Sequence, residues 1–170
     1  MQYDLKPMLS LQKELNKKIR ETQCIKYEEI KTQSHLSVLI ELMELCNETR
    51  CFNYWSKKQR GSDEAVLEEF ADVLCFILTE ILSWDISTIE IDEQTPVEGK
   101  LELTKRFLDL AKAFANLDEN NHLTYIQFMQ DFFNLGYALG YNINKIYHAY
   151  ELKVAKNHKV QDDFINNPVK

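Results

Sequence analysis

Residues 36–45 read LSVLIELMEL, and residues 66–78 read VLEEFADVLCFIL. Each stretch is apolar on most sides of a helix, which is typical of helices buried in an all-α protein. The polar residues in and just after the first stretch follow at spacings of four, three and four, at Ser37, Glu41, Glu44 and Glu48. At about 100° of rotation per residue, these positions form one narrow stripe along the helix. The acidic part of this stripe is the first indication of a functional site.

The whole chain has the composition of a helical protein. It contains 170 residues with only 4 glycines and 3 prolines, and 45% of its residues are hydrophobic. So few helix-breaking residues favour long helices over many short strands. The length suits one domain over residues 1–170. The sequence therefore predicts a single all-α domain, a multi-helix bundle.

Hydrophobic periodicity and capping residues give approximate limits for six helices. We expect them at about residues 8–21, 34–50, 63–84, 97–116, 123–138 and 142–160. The predicted N-caps are Ser34 for the second helix, Ser62 or Asp63 for the third, and Asn142 for the sixth. Residues 85–96 are expected to connect two helices, and residues 162–170 to form a mobile tail.

Charge and cysteine content exclude several classes of protein. The net charge of −7 argues against a general nucleic-acid binder. No stretch has the length of a membrane span, and the N-terminal sequence lacks the apolar core of a signal peptide. The 4 cysteines form no CxxC pair, which suits scattered buried thiols in a reducing compartment. We therefore expect a cytoplasmic protein without a membrane or nucleic-acid partner.

The acidic stripe of the second helix has a counterpart on the third. Glu69 and Asp72 are three residues apart and share one face of a largely apolar helix. If the two helices pack together, Glu41, Glu44, Glu69 and Asp72 meet in one pocket. Four carboxylates in a low-dielectric site repel one another and lose their hydration. Neither stripe carries a basic residue, so bound metal cations would provide the compensation.

The ligand type indicates which metal this pocket would bind. The residues three positions after Glu41 and Glu69 are Glu44 and Asp72, whereas di-iron bundles have histidine there. Hard cations such as Mg²⁺ and Mn²⁺ prefer oxygen ligands, and Mg²⁺ commonly completes its coordination with phosphate oxygens. The pattern therefore indicates phosphate-ester or pyrophosphate chemistry. The alternative is a pair of solvated acidic stripes without a metal.

The sequence around these carboxylates resembles a known family. Residues 41–58 read ELMELCNETRCFNYWSKK, and residues 67–78 read LEEFADVLCFIL. Both strings are similar to the central motifs of the dimeric dUTPases, in the all-α superfamily of nucleoside triphosphate pyrophosphatases that includes MazG-type enzymes. The resemblance implies Mg²⁺-dependent hydrolysis of dUTP, and also of dUDP, to dUMP. In the reaction that it implies, water attacks the β-phosphorus.

The resemblance also implies roles for the acidic residues. The metal ligands would be Glu41, Glu44, Glu69 and Asp72, holding Mg²⁺ or Mn²⁺. Glu41 would orient or deprotonate the attacking water. Glu48 would bind metal-bound water or position a neighbouring side chain.

Two further motifs place substrate contacts outside the central helices. Residues 11–16, LQKELN, resemble a first motif that lies near the base, which implicates Gln12 and Asn16. Residues 149–158, AYELKVAKNH, resemble the C-terminal nucleotide-binding helix of the family. Its matching residues are Tyr150, Lys153, Asn157 and His158.

The loop after the second helix adds two expected substrate contacts, and three positions depart from the family pattern. Trp55 would pack on the base or sugar, while Lys57, like Lys153, would neutralise outer phosphate oxygens. The departures are Cys75 in place of a histidine, Val154 in place of an asparagine and Val160 in place of an arginine. They remove hydrogen-bonding groups that would lie near the phosphates or the base.

These departures leave three functions open. The first is a Mg²⁺-dependent dUTPase, and the second is a related pyrophosphohydrolase of different or broader nucleotide specificity. The third is a non-catalytic dUTPase-like protein whose surface serves a partner. Because several predicted helices are apolar on more than one face, we also expect a homodimer.

Overall fold

The structure contains six helices and one short pair of strands within the residues that it describes. This computed structural model describes residues 1–84, 86–92, 96–97, 99–118 and 120–166. The helices are α1 (Lys6–Gln23), α2 (Tyr27–Thr49), α3 (Asp63–Ile81), α4 (Lys100–Ala115), α5 (His122–Ala138) and α6 (Ile143–Asn166), and the strands are β1 (Gln2–Asp4) and β2 (Thr88–Glu90). The predicted all-α fold class is confirmed.

α2 begins well before its predicted start. The residue before it, Lys26, is extended with φ −109° and ψ 141°, and the first helical turn contains Glu28 and Glu29. These negative charges interact favourably with the positive end of the helix dipole. The predicted N-cap at Ser34 is wrong, because Ser34 lies inside the helix and is buried. The additional turns bring Ile30 into the wall of a cavity described below.

The predicted N-caps of α3 and α6 agree with the observed hydrogen bonds. Oγ of Ser62 accepts a hydrogen bond of 3.2 Å and Oδ1 of Asn142 one of 3.0 Å, each from the backbone N–H three residues later. α6 is longer than predicted and continues to Asn166. The expected mobile tail is therefore helical over residues 162–166, and residues 167–170 lie outside the described residues.

The predicted connection over residues 85–96 contains β2, which the sequence analysis did not predict. β2 pairs antiparallel with β1, with Tyr3 opposite Ile89. Leu5 N also donates a hydrogen bond of 2.8 Å to Ser87 O. Three-residue strands are too short to show a clear alternation in the sequence. Residues 85 and 93–95 of this connection lie outside the described residues.

The core is centred on α3, against which aromatic rings of α5 pack. Phe70 stacks on Phe132 with the ring centroids 4.2 Å apart. Gly136 allows α5 to approach closely, because an added Cβ would lie 2.6 Å from Ile146 Cδ1 and 3.1 Å from Phe70 Cζ. α3 is therefore packed between α2, α5 and α6, and this packing fixes the orientation of its polar face.

The most apolar helix, α3, still carries several charged residues. These are Asp63, Glu64, Glu68, Glu69, Asp72 and Glu80. Among the described residues, no helix combines the length and apolarity needed to cross a membrane.

Candidate functional site

The acidic stripes of α2 and α3 meet where the two helices pack side by side. Glu41 of α2 and Glu69 and Asp72 of α3 each present a carboxylate oxygen, and these oxygens lie within 4.8 Å of one another. The two helices are antiparallel, so that Glu48 lies beside the start of α3, where Gly61 N donates to its backbone oxygen at 2.9 Å. We call Glu41, Glu69 and Asp72 the carboxylate cluster.

Burial and like charge raise the pKa of every member of the cluster. Glu41 has a pKa raised to about 7, first by burial and then by the charges of Asp72, Glu44 and Glu69. Burial also raises the pKa of Glu69, followed by the charges of Asp72 and Glu44. For Asp72 the largest cause of a raised pKa is again burial. Keeping the three carboxylates charged therefore costs free energy, and a bound cation would reduce this cost.

The other two predicted acidic residues lie next to the cluster rather than within it. Glu44 is exposed, yet its charge raises the pKa of both Glu41 and Glu69. Glu48 acts more weakly, since its charge is among the smaller causes that raise the pKa of Glu69. Both therefore add negative charge near the cluster.

One cation reaches the cluster from a helix that carries neither stripe. Lys153 of α6 places its Nζ 2.5 Å from Asp72 Oδ2 and 3.4 Å from Glu68 Oε1. Burial would lower the pKa of Lys153, but the hydrogen bond to Asp72 and the charges of Asp72 and Glu68 outweigh it and raise the pKa. Lys153 therefore stays charged and compensates part of the cluster.

The donor set suits a hard divalent cation. All three converging groups are carboxylates, the ligand type that Mg²⁺ and Mn²⁺ prefer. Glu41 and Glu69 are only half-buried, so water and phosphate oxygens can approach the same point. Among the largest influences on the pKa of Glu41, only the charge of Lys153 lowers it. One ammonium group thus leaves most of the negative charge for a metal to compensate.

A cavity of about 310 Å³ lies directly beside the cluster, between α1, α2 and α3. Asp72 belongs to both the cluster and the cavity wall. The other polar residues of the wall include Gln12, Asn16, Ser34, Ser37, Thr79 and Asn157. Apolar side chains such as Leu15, Ile19 and Phe76 form most of the wall, and we call this space the polar cavity for the amide and hydroxyl groups set into it. Its predicted members Gln12, Asn16 and Asn157 are thus brought together with Asp72.

A hydrogen-bond network sets the orientation of the amides in the polar cavity. Tyr150 Oη donates to Gln12 Oε1 at 2.8 Å, and Gln12 Nε2 donates to Asn16 Oδ1 at 2.9 Å. Asn16 Nδ2 in turn donates to Thr79 Oγ1 at 3.0 Å, and the Thr79 hydroxyl donates to Cys75 O at 2.7 Å. Each amide therefore has one defined direction before any ligand binds.

Trp55 and Lys57 lie apart from this constellation. The ring of Trp55 contacts Tyr54 and Phe52, with centroid distances of 5.0 Å and 5.9 Å, and 66% of the residue is exposed. Lys57 is also exposed. Neither residue lines the polar cavity. Their loop connects α2 to α3, so it lies at the opposite end of the cluster from this cavity.

Cys75 lines the polar cavity at the position where the resembling family has histidine. Burial, and then the charge of Asp72, raises its pKa to about 12. The thiol is therefore neutral at physiological pH in the metal-free protein. The cavity wall at this position is a small, weakly polar group.

Thr79 and Ser34 are the functional candidates that the sequence analysis missed. Thr79 is seven residues after Asp72 and therefore on the same helix face, and it interrupts the apolar run CFIL. That spacing was the available indication for Thr79. Ser34 had been interpreted as a cap, and only the true start of α2 places it in the cavity wall.

Comparison with known proteins is consistent with this site. A sequence-family model described as dUTPase matches residues 4–164. A comparison of the chain with curated proteins found no match. The matched range includes the carboxylate cluster, Lys153 and all the polar residues of the polar cavity. The chain belongs to the dUTPase family.

Proposed function

We propose that this chain hydrolyses dUTP, and also dUDP, to dUMP in a Mg²⁺-dependent reaction. The observation that carries the proposal is the shared position of Asp72, which joins the carboxylate cluster to the polar cavity. A nucleotide with its base in the cavity would have its phosphates at the cluster. Membership of the dUTPase family supports uracil as the base.

The cluster would hold the metal and the attacking water. Mg²⁺ or Mn²⁺ bound by Glu41, Glu44, Glu69 and Asp72 would offset the phosphate charge and make a water molecule more acidic. Glu41 is proposed to orient this water and accept its proton, with Glu48 holding a second water at the edge. The water oxygen bonds to the β-phosphorus, whose bond to the oxygen bridging to the α-phosphate breaks. The products are dUMP and pyrophosphate, or dUMP and phosphate from dUDP.

The remaining predicted residues would bind the nucleotide. Gln12, Asn16 and Asn157 offer amide groups to the base in the polar cavity. Lys153 lies against Asp72 and is proposed to neutralise phosphate oxygens. Trp55 and Lys57 would contribute only if their exposed loop closes over the bound nucleotide.

Thr79→Val is expected to lower kcat/KM for dUTP about tenfold, mainly through KM, because it removes the hydrogen-bond acceptor of Asn16 Nδ2. Valine keeps the shape of threonine, so the core packing is retained. Steady-state kinetics of pyrophosphate release measure the effect.

Thr104→Val is the matched control for this variant. Thr104 Oγ1 also donates to the carbonyl oxygen four residues before it, but it lies on α4. Equal losses in the two variants, or no loss at Thr79, would contradict a role for Thr79 in orienting Asn16.

A nucleotide panel tests the proposed activity. Pyrophosphate release from dUTP, dTTP, dCTP, dATP and dGTP is measured with and without Mg²⁺. Rapid Mg²⁺-dependent turnover of dUTP alone is expected. Turnover of several nucleotides would instead support the broader pyrophosphohydrolase, for which the neutral wall at Cys75 is the favouring observation. If no nucleotide in the panel releases pyrophosphate, the enzymatic proposal is overturned and the non-catalytic alternative is favoured.

We also propose that the chain forms a homodimer through an apolar stripe on α2. Leu36, Ile40 and Met43 are 56%, 47% and 41% exposed, and their spacings of four and three place them on one face. Three neighbouring exposed aliphatic side chains are typical of an interaction surface. The stripe lies beside the acidic stripe that begins at Ser37, so a second copy bound there would adjoin the carboxylate cluster.

Ile40→Lys is expected to weaken the dimer at least about 30-fold in dissociation constant, because it places a charge at the centre of this stripe. Analytical ultracentrifugation over a concentration series measures the change. Leu123→Lys, at a position of α5 that is 62% exposed, provides the control. A wild-type monomer, or an Ile40→Lys dimer of unchanged strength, would refute this interface.

A further inference from the structure

A groove of about 520 Å³ lies between the first half of α3 and α6. Four basic side chains line it, namely Lys145, His148, Lys153 and Lys156, together with three carboxylates of α3 that include Glu68. We call it the α3–α6 groove. The proposed reaction assigns a role to Lys153 alone among these residues.

The groove continues from the carboxylate cluster through a chain of charge contacts. Lys153 Nζ lies 2.5 Å from Asp72 Oδ2 and 3.4 Å from Glu68 Oε1. Lys156 Nζ contacts the same Glu68 oxygen. Asp72 also lines the polar cavity. The polar cavity, the cluster and the α3–α6 groove therefore follow one another in space. A nucleotide with its base in the cavity and its inner phosphates at the cluster would have its outer phosphate in the groove.

The two ammonium groups that share Glu68 differ in their freedom to move. The side chain of Lys153 is only 13% exposed and is held against Asp72. The side chain of Lys156 is 61% exposed, and its ion pair is with Glu68. The ion pair with Glu68, which also contacts Lys153, keeps Lys156 close to the cluster.

We propose that Lys156 binds the terminal phosphate of a nucleoside triphosphate and that Glu68 positions it for this contact. The inference rests on the proposed function and adds a residue that discriminates between substrates. A nucleoside diphosphate ends one phosphate earlier and does not reach Lys156. The lysine therefore favours dUTP over dUDP, while the chemistry at the cluster is the same for both.

The test compares the two substrates in wild-type protein, Lys156→Met and Lys159→Met at saturating Mg²⁺. We expect Lys156→Met to lower the ratio of kcat/KM for dUTP to kcat/KM for dUDP about tenfold, as for the loss of one charged hydrogen bond at an accessible site. Lys159→Met removes the same charge from α6 at an exposed residue outside the groove lining, and should leave the ratio unchanged. Lys156→Arg should retain it.

The ratio separates this role from general effects on folding. Both substrates are measured with one preparation, so the folded fraction cancels. Equal losses for dUTP and dUDP, or an unchanged ratio in Lys156→Met, would overturn the inference and leave the proposed function standing. Wild-type protein that hydrolyses neither nucleotide would overturn the proposed function, and this inference with it.

Discussion

Replacement of Glu41 by glutamine is expected to lower kcat for dUTP hydrolysis by about 10³-fold or more. The change removes a charged oxygen ligand and the proposed proton acceptor in one step, and general-base catalysis alone is typically worth about 10²–10⁴-fold. The side chains have nearly the same size, so the packing of α2 against α3 is retained. Pyrophosphate release at saturating dUTP and Mg²⁺ measures the loss.

Two comparisons make this result specific. Glu28→Gln changes the same charge on the same helix, at an exposed residue of the first turn, and should keep wild-type activity. In metal-free protein, Glu41→Gln should unfold at the same or a higher temperature than wild type, because it removes a charge that is disfavoured first by burial and then by repulsion from Asp72, Glu44 and Glu69. A variant that retains more than about one tenth of the activity would exclude Glu41 as the essential base.

Phe132→Ala is expected to reduce the free energy of unfolding by about 3–5 kcal/mol, the usual range for removing a buried phenylalanine ring. Phe132 is fully buried, and its ring stacks on Phe70 at 4.2 Å and on Phe128 at 6.2 Å between centroids. The cavity left by the ring would lie directly behind the helix that carries Glu69 and Asp72. Urea unfolding of the metal-free protein measures the change.

Phe164→Ala is the control, since Phe164 is 37% exposed near the end of α6. Its effect should stay within about 0.5 kcal/mol, as for most surface substitutions. A loss below about 1 kcal/mol for Phe132→Ala would show that the core around α3 can collapse onto the cavity.

The sequence was sufficient to predict the helices and the core of the site because both depend on helical periodicity. Glu41, Glu69 and Asp72 were recognised as carboxylates in apolar helices, and the structure brings their oxygens together. Glu44 was assigned to the same pocket from its spacing alone. It lies outside the group of three, because a stripe only restricts the direction of a side chain and does not fix how deeply it is buried.

The rest of the site depends on contacts between distant parts of the chain, which periodicity does not reveal. Lys153 reaches Asp72 from α6, and Tyr150 reaches Gln12 across 138 positions. The start of α2 was misplaced because its first turns lack a capping side chain, and this concealed the role of Ser34 in the polar cavity. Only the family resemblance had indicated Gln12, Asn16 and Asn157.

The placement of all three cluster carboxylates on one helical hairpin has a consequence for the order of folding. Glu41 and Asp72 are close in sequence, whereas the β1–β2 pairing and the contact of α1 with α6 close much longer loops. Short loops cost less entropy to close, and local contacts generally form early. The α2–α3 hairpin is therefore expected to form before the polar cavity does. Repulsion between the carboxylates would then raise the barrier to folding itself. By offsetting this repulsion, divalent cations would speed folding as well as stabilise the folded protein.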